Sequence, residues 1–158
     1  MCIRDRYKDD KWIEAVEDAI WAICDEFTWA LPAHISDQQK SDISEIKTNL
    51  DLFSCETAFA LSEIYYVFNH RLSPLVKKRI YYEIFDRIIN PYIEKKTKWP
   101  ANNWSAVCSS GIIAAVIYLD CKEEFDKIID DITDSMNVFL SSYRDDGCCL
   151  EAVSYTHL

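Results

Sequence analysis

The sequence predicts an all-α fold built of antiparallel helical hairpins, an α/α toroid. Only two Gly and four Pro occur in 158 residues, so long uninterrupted helices are expected. Five segments carry apolar residues at helical spacing. Along the chain these segments alternate between helices with one apolar stripe and helices that are apolar nearly all round. A toroid requires this alternation, because its outer helices face solvent and its inner helices are enclosed.

The three amphipathic segments are predicted to form the outer helices. They span about 9–27, 74–96 and 122–142. The second begins with Ser73-Pro74, a capping residue followed by proline at the first helical position, which is typical of a helix start.

The two apolar segments, about 51–69 and 103–119, are predicted to form the inner helices. A helix without a polar face must be buried on all sides. Glu56 interrupts the first of these segments, one turn after Asp51. A buried carboxylate has to be paired or protonated. Glu56 is therefore either a structural ion-pair partner or a catalytic acid in a cleft.

The connections that lead from an outer to an inner helix are the long ones. They span 28–50, 97–102 and 143–151. In antiparallel hairpins, connections of one type lie on the same side, so we expect all three on one rim, at the N-termini of the inner helices. Loops on a rigid scaffold often carry binding sites, and helix N-termini favour anionic groups such as a uronate carboxylate.

The first of these loops contains Trp29 and His34 on either side of Pro32. An exposed indole is a stacking surface for a sugar ring, and an imidazole supplies an acid, a base or a polar contact. The alternative is that Trp29 packs the loop onto the core and His34 is simply exposed.

The second loop ends in Asn102-Asn103-Trp104. One asparagine is sufficient to cap the following helix. A second asparagine and a tryptophan at the same place indicate a binding rim, since sugars pack against indoles and bond to amides. The three residues are therefore candidates for substrate binding.

Composition excludes several classes of function. Twenty-seven acidic and 17 basic residues give a net charge of −10, which argues against nonspecific binding of nucleic acid. The seven Cys form no CxxC and have no His at zinc spacing, so no metal and no cofactor are expected. Four of them, Cys24, Cys55, Cys108 and Cys121, fall within or beside helical patterns and are expected to be small, unpaired core residues, which favours a reducing, cytoplasmic compartment. No apolar run of about 20 residues is present to cross a membrane.

Both ends of the sequence look foreign. Residues 1–6 (MCIRDR) and 153–158 (VSYTHL) fit no helical pattern and resemble translated adapter sequence from metagenomic gene fragments. We therefore expect native sequence in 7–152, forming a partial toroid domain.

Several segments together resemble the N-terminal helical domain of heparinase II/III-like proteins. In chain order they are EDAIWAICDEFTWALPAH, DLFSCETAFALSEI, SPLVKKRIYYEIFDRIINPYI, NNWSAVCSSG and DGCCLE. The resemblance covers nearly all of the chain between the two tails. It implies an incomplete α/α toroid that is normally followed by a β-sandwich domain, and lysis of uronic-acid polysaccharides by β-elimination. The implied partners are an acidic polysaccharide or oligosaccharide and the missing C-terminal part of the same protein. Alone, the chain is expected to be inactive.

The resemblance also implies roles for particular residues. Asn103 matches the asparagine that binds the uronate carboxylate in family lyases. Trp104 stands where those lyases have a histidine, and an indole has no acid or base capacity. Glu151, at the end of the third loop, either caps the next inner helix or reaches the cleft, and it joins the substrate-binding candidates. His34 and Glu56 are the catalytic candidates.

Two other functions fit the sequence. One is a toroid glycoside hydrolase acting on unsaturated uronides, which needs a pair of carboxylates facing the sugar. Glu56 would have to converge with Asp51 or Glu151. The other is a non-catalytic carbohydrate-binding or interaction module, which Trp104 in place of histidine favours.

Overall fold

The computed structural model describes residues 11–95 and 97–147, and this part of the chain is helical with no β-strand. These residues form seven α-helices: α1 (Lys11–Asp25), α2 (Ile43–Lys47), α3 (Leu52–Phe68), α4 (Pro74–Ile84), α5 (Asn90–Lys95), α6 (Asn103–Tyr118) and α7 (Lys122–Leu140). The five predicted helical segments are confirmed, and α2 is an addition. The predicted tails lie outside the described residues.

The segment between α1 and α3 is more ordered than the predicted loop. It contains two single 3₁₀ turns, Pro32–His34 and Gln39–Ser41, before α2. The Thr28 hydroxyl donates to the Ile46 carbonyl at 2.8 Å, which ties the start of this segment to α2. His34 therefore sits in a short helical turn that is held by its surroundings.

The predicted third helix is one continuous rod made of α4, a π-helical turn (Phe85–Ile89) and α5. Ser73 caps its start, and its side chain accepts from the Val76 amide. The π-helical turn buries Arg87 together with Ile88 and Ile89. π-Turns within α-helices are uncommon and redirect side chains, and here the redirected side chain is a charged one.

The two apolar helices, α3 and α6, pack side by side in the same direction. The His34 ring lies near Phe53 and Trp104, in the first turn of each helix. Toward the other end, Tyr118 of α6 stacks on Phe59 of α3, with ring centroids 6.1 Å apart. Gly111 allows this close approach, because a Cβ there would lie 2.7 Å from the Cys55 carbonyl oxygen. Helix α4 packs on α1 and α3, and α7 packs along α6.

The prediction that α3 and α6 are enclosed on all sides is wrong for the described part of the chain. One face of the pair is open, with large apolar side chains exposed: Phe53, Phe59, Tyr66, Val67 and Ile117. Glu56 lies exposed on α3. The apolar pattern predicted a need for partners, but the described helices pack against only one side of the pair.

Four cysteines, Cys24, Cys55, Cys108 and Cys121, are buried free thiols, as the sequence predicted for small core residues. The hydrogen bond with the Cys108 thiol, together with burial, holds the pKa of Cys55 well above its usual range. Among the described helices, none has the length and apolar character needed to cross a bilayer.

Candidate functional site

His34 is bonded to a buried carboxylate. Its Nδ1 lies 2.7 Å from Asp51 Oδ2, and the Asp51 side chain is fully buried while the His34 side chain keeps 22% of its surface exposed. This pair joins the first loop to the start of α3. The Nδ1 edge of the imidazole is therefore fixed by the protein, and part of the ring still reaches solvent.

Asp51 is held from three directions. Its Oδ2 also accepts from the Leu31 amide at 2.9 Å, and its Oδ1 accepts from the Ser54 amide at 2.7 Å. In return the Asp51 amide donates to Ser54 Oγ, which completes a capping box at the start of α3. The two backbone N–H donors and the His34 ring therefore hold both carboxylate oxygens in place. One side chain thus caps α3, closes the loop and orients His34.

The His34 ring also packs against Trp104, from the N-terminus of α6. The two ring centroids are 4.6 Å apart and the planes meet at 61°, an edge-to-face contact. Trp99 fixes the second loop beside the first, since its Nε1 donates to the Leu50 carbonyl at 3.3 Å. The first two long loops therefore meet at one end of α3 and α6, as predicted. Glu151, in the third loop, lies outside the described residues.

The two asparagines of the second loop have different places. Asn102 is the cap of α6, and its side-chain oxygen accepts from the Trp104 amide at 3.1 Å. That oxygen has a structural task, so Asn102 is a weaker candidate for substrate binding than the sequence suggested. Asn103 is the first residue of the helix and is half-buried. Asn103 is also the residue directly before Trp104 in the chain.

The prediction that Trp29 is a sugar-stacking surface is wrong. Its side chain is 93% buried, because only 7% of its surface is accessible, and its Nε1 donates to the Ile23 carbonyl at 2.9 Å. The guanidinium of Arg87 lies over its ring, 4.8 Å from the centroid. With one face taken by a cation, the indole packs the loop onto the core, which is the alternative stated above.

A buried ion-pair network holds the start of this loop. Arg87 Nε donates to Glu83 at 2.6 Å, and both residues are nearly inaccessible. The other guanidinium nitrogens donate to the carbonyls of Cys24 and Phe27, at the C-terminal end of α1. A cation at a helix C-terminus is favourable. In the sequence, the spacing of four residues between Glu83 and Arg87 is the signal for this network, and that spacing does not show that the pair is buried.

Asp51 and Glu56 do not form the pair of carboxylates that a glycoside hydrolase needs, and Glu151, the other predicted partner of Glu56, lies outside the described residues. Asp51 is enclosed by Leu31, Ser54 and His34 rather than facing solvent. Glu56 is exposed on the open face of α3, so the inference of a buried acid at that position is wrong. In the described ranges, no group of three side chains is placed to hold a metal ion.

Comparison with known proteins adds no family to this picture. No family model matches the chain, and no curated protein sequence matches it. The functional assignment therefore depends on the geometry of the residues around His34.

Proposed function

We propose that this chain is part of a heparinase II/III-like protein that acts on uronic-acid-containing polysaccharide by β-elimination, with its substrate site at the N-terminal ends of α3 and α6. The observation that carries the proposal is the meeting of two distant loops at one point. His34 of the first loop, oriented by Asp51, packs edge-on against Trp104 of the second. Asn103 precedes that tryptophan directly.

The helix arrangement supports a partial α/α toroid. The apolar helices α3 and α6 lie side by side and parallel, and amphipathic helices precede, connect and follow them. The open apolar face of the pair is the surface that further inner helices would cover in a complete toroid. For that reason we propose the missing C-terminal part of the protein as a partner of this face, and we expect the chain alone to have no lyase activity.

β-Elimination on a uronate has three chemical requirements. Donors must neutralise the carboxylate, so that charge developing as the C5 proton leaves is stabilised. A base must take the C5 proton, and an acid must protonate the departing O4 oxygen. We assign the first task to Asn103, the position that matches the carboxylate-binding asparagine of family lyases.

His34 is our candidate for proton transfer. Trp104 occupies the position where family lyases have a histidine, and its indole cannot exchange a proton. The imidazole of His34 lies against that indole, with ring centroids 4.6 Å apart. A group able to act as acid or base is therefore in contact with Trp104, although residue 104 itself is not such a group. Its Nδ1 is engaged by Asp51, which leaves Nε2 as the atom for the substrate.

A non-catalytic carbohydrate-binding module is the second candidate. Trp104 favours it, because an indole that follows Asn103 in the chain can pack against a sugar without performing chemistry. This module would keep the contribution of Asn103 and Trp104 and would not depend on proton transfer by His34. The two candidates therefore differ in what His34→Ala does.

The test uses the full-length gene that contains this sequence. The purified protein is assayed on uronate-containing polysaccharides by following the ultraviolet absorbance of the unsaturated product. We expect product from at least one of them, a loss of about 100-fold or more in rate for His34→Ala, as for other acid–base groups, and a comparable loss for Asn103→Ala. The matched controls are His70→Ala and Asn137→Ala, exposed residues of the same types.

The outcomes separate the candidates. Binding of polysaccharide without any absorbance rise would contradict the lyase and support the binding module. Activity that survives His34→Ala unchanged would contradict the role of His34 alone. Neither binding nor product with any uronate polysaccharide would overturn both.

A further inference from the structure

We propose that Asp51 is a positioning residue that fixes His34 with its proton on Nδ1, so that the site presents Nε2 as a hydrogen-bond acceptor. The ligand group that His34 meets is then a hydroxyl or another proton donor, and the carboxylate of a uronate lies elsewhere in the site. The identity of the ligand rests on the proposed function, whereas the protonation pattern of His34 does not.

Both oxygens of the Asp51 carboxylate have N–H partners in the backbone. Oδ2 accepts from the Leu31 amide, and Oδ1 accepts from the Ser54 amide. An ionised carboxylate can only accept hydrogen bonds. His34 Nδ1, at 2.7 Å from Oδ2, must therefore be the donor, and in the neutral ring the lone pair is on Nε2.

The ring cannot turn over to exchange its two nitrogens without losing contacts. The amide of His34 donates to the Leu31 carbonyl at 2.9 Å, and its carbonyl accepts from Asn49 Nδ2 at 3.3 Å, so the backbone is held on both sides. The ring itself lies between Trp104 and Phe53, with centroid distances of 4.6 and 6.4 Å. Asp51 is the charged group in direct contact with it.

This arrangement divides the recognition of a uronic acid between two elements. A lone pair on Nε2 repels a carboxylate and accepts from a sugar hydroxyl, or takes a proton from carbon during elimination. An amide such as that of Asn103 supplies donors, which suit the carboxylate. His34 would thus accept a hydrogen bond from one polar group of the sugar, and Asn103 would donate hydrogen bonds to another.

The protonation of His34 can be measured directly in the 158-residue chain. Long-range ¹H–¹⁵N NMR correlations distinguish the two neutral forms of each histidine, at a pH where the ring is neutral. A hydrogen bond to a charged group favours one form by about tenfold or more. We expect His34 to be predominantly protonated on Nδ1, and His70, which is exposed, to serve as the reference.

Asp51→Asn is the matched variant, because asparagine caps a helix as well as aspartate does. It keeps the start of α3 and removes the charge that holds the proton on Nδ1. We expect the tenfold preference of His34 to fall toward the distribution of His70, with the His70 signals unchanged. A wild-type His34 protonated on Nε2, or a preference unaltered in a folded Asp51→Asn chain, would overturn the proposal. Should that variant fail to fold, the wild-type measurement decides alone.

A ligand titration tests the second half of the proposal. The probes are a glucuronate-containing disaccharide and the same disaccharide with its carboxyl group reduced to an alcohol. We expect a shift of the His34 Nε2 signal with both sugars, and a shift of the Asn103 side-chain amide with the uronate only. A His34 shift that requires the carboxylate would overturn the proposed recognition. A correct tautomer with no response to either sugar would overturn the recognition and the proposed function while leaving the role of Asp51 intact.

Discussion

Two regions of this molecule are built from the same kinds of side chain and differ in how completely they are closed. Each combines a buried carboxylate, a nitrogen base and a tryptophan: Glu83 with Arg87 and Trp29, and Asp51 with His34 and Trp104. In the first, the Arg87 and Glu83 side chains are only 4% and 5% exposed. In the second, the carboxylate is equally hidden, but 22% of the imidazole surface is open.

The difference indicates which region is scaffold and which is site. All three donor nitrogens of Arg87 are used within the protein, on Glu83 and on two carbonyls at the end of α1. Its polar atoms are satisfied, so the region has nothing to offer a ligand. His34 uses one ring nitrogen on Asp51 and reaches solvent with part of the ring. The closed Glu83–Arg87 network stabilises the loop, whereas the open Asp51–His34 pair can contact a ligand.

The closed region gives the largest expected effect. Arg87→Ala leaves the buried Glu83 carboxylate with Arg79 as its remaining ion-pair partner, removes the donors to the Cys24 and Phe27 carbonyls and uncovers Trp29. We therefore expect the free energy of unfolding to fall by about 3–5 kcal/mol. Urea denaturation followed by circular dichroism measures this change. Lys78→Ala, at an exposed position of the same rod, is the control and should change stability by no more than about 0.5 kcal/mol. A loss below about 1 kcal/mol for Arg87→Ala would contradict the network.

Substitutions of the two tryptophans, Trp29 and Trp104, should also differ in their effect on stability. Trp29→Ala removes a buried ring and should cost about 3–5 kcal/mol of stability. Trp104 is half-buried, so Trp104→Ala should cost clearly less, while it displaces the NMR signals of His34 because the edge-to-face contact is lost. Equal losses of stability for the two variants would contradict the distinction between scaffold and site.

The sequence predicted the helices well because their signals are local. Apolar periodicity identified the helical segments, and Ser73-Pro74 and Asn102 were correctly interpreted as helix starts. Helix α2, with five residues, is too short to show a period. The π-helical turn at Phe85–Ile89 has no pattern that separates it from an α-helix, so the inward course of Arg87 could not be anticipated.

The site was predicted in part, for a physical reason. His34 and Asn103 were placed on one rim from loop lengths, and the contact of His34 with Trp104 confirms that the first two loops meet. Trp29 was misassigned because nothing near it in sequence shows that Arg87 covers its ring. The burial predicted for Glu56 is wrong, because the apolar pattern of a helix does not show whether other helices enclose it. Such burial is decided by partners that are distant in sequence.

Close packing of α3 against α6 supports the open site, and Gly111 tests it. A methyl group at this position would meet the Cys55 carbonyl oxygen at 2.7 Å, so the helices must separate in Gly111→Ala. We expect a loss of about 1–3 kcal/mol, despite the higher helix propensity of alanine. Ser110→Ala, exposed on the same helix, is the control for urea denaturation. A stabilised Gly111→Ala chain would contradict the close approach.

The closed region also predicts a loss of stability in alkali. Burial, with a further contribution from the Glu83 charge, raises the pKa of the Cys24 thiol from 9.0 to about 11. The unfolded chain releases this proton near pH 9 and the folded chain does not, so folding is favoured fully below pH 9 and loses stability as the pH rises to about 11. The thiol's share of this loss is about 1–3 kcal/mol.

Cys24→Ala isolates that share. Both proteins lose stability in alkali through their other groups, so the informative quantity is the difference between their slopes of unfolding free energy against pH. We expect the slope between pH 9 and pH 11 to be shallower in Cys24→Ala. Burial raises the pKa of the Cys121 thiol as well, but Cys121 is less deeply buried, so Cys121→Ala should make the slope shallower by a smaller amount. Identical slopes for the wild type and Cys24→Ala would show that the thiol is not held neutral.

The central claim is that the His34–Trp104 region is open to a ligand and the Arg87–Trp29 region is not. The most direct test follows the indole and imidazole NMR signals of the ¹⁵N-labelled chain during titration with a glucuronate-containing oligosaccharide, up to the millimolar range expected for a partial site, about −4 kcal/mol of binding free energy. We expect the signals of Trp104, His34 and Asn103 to shift together and that of Trp29 to stay in place. A shift centred on Trp29, or no shift at Trp104 and His34 at saturating sugar, would contradict it.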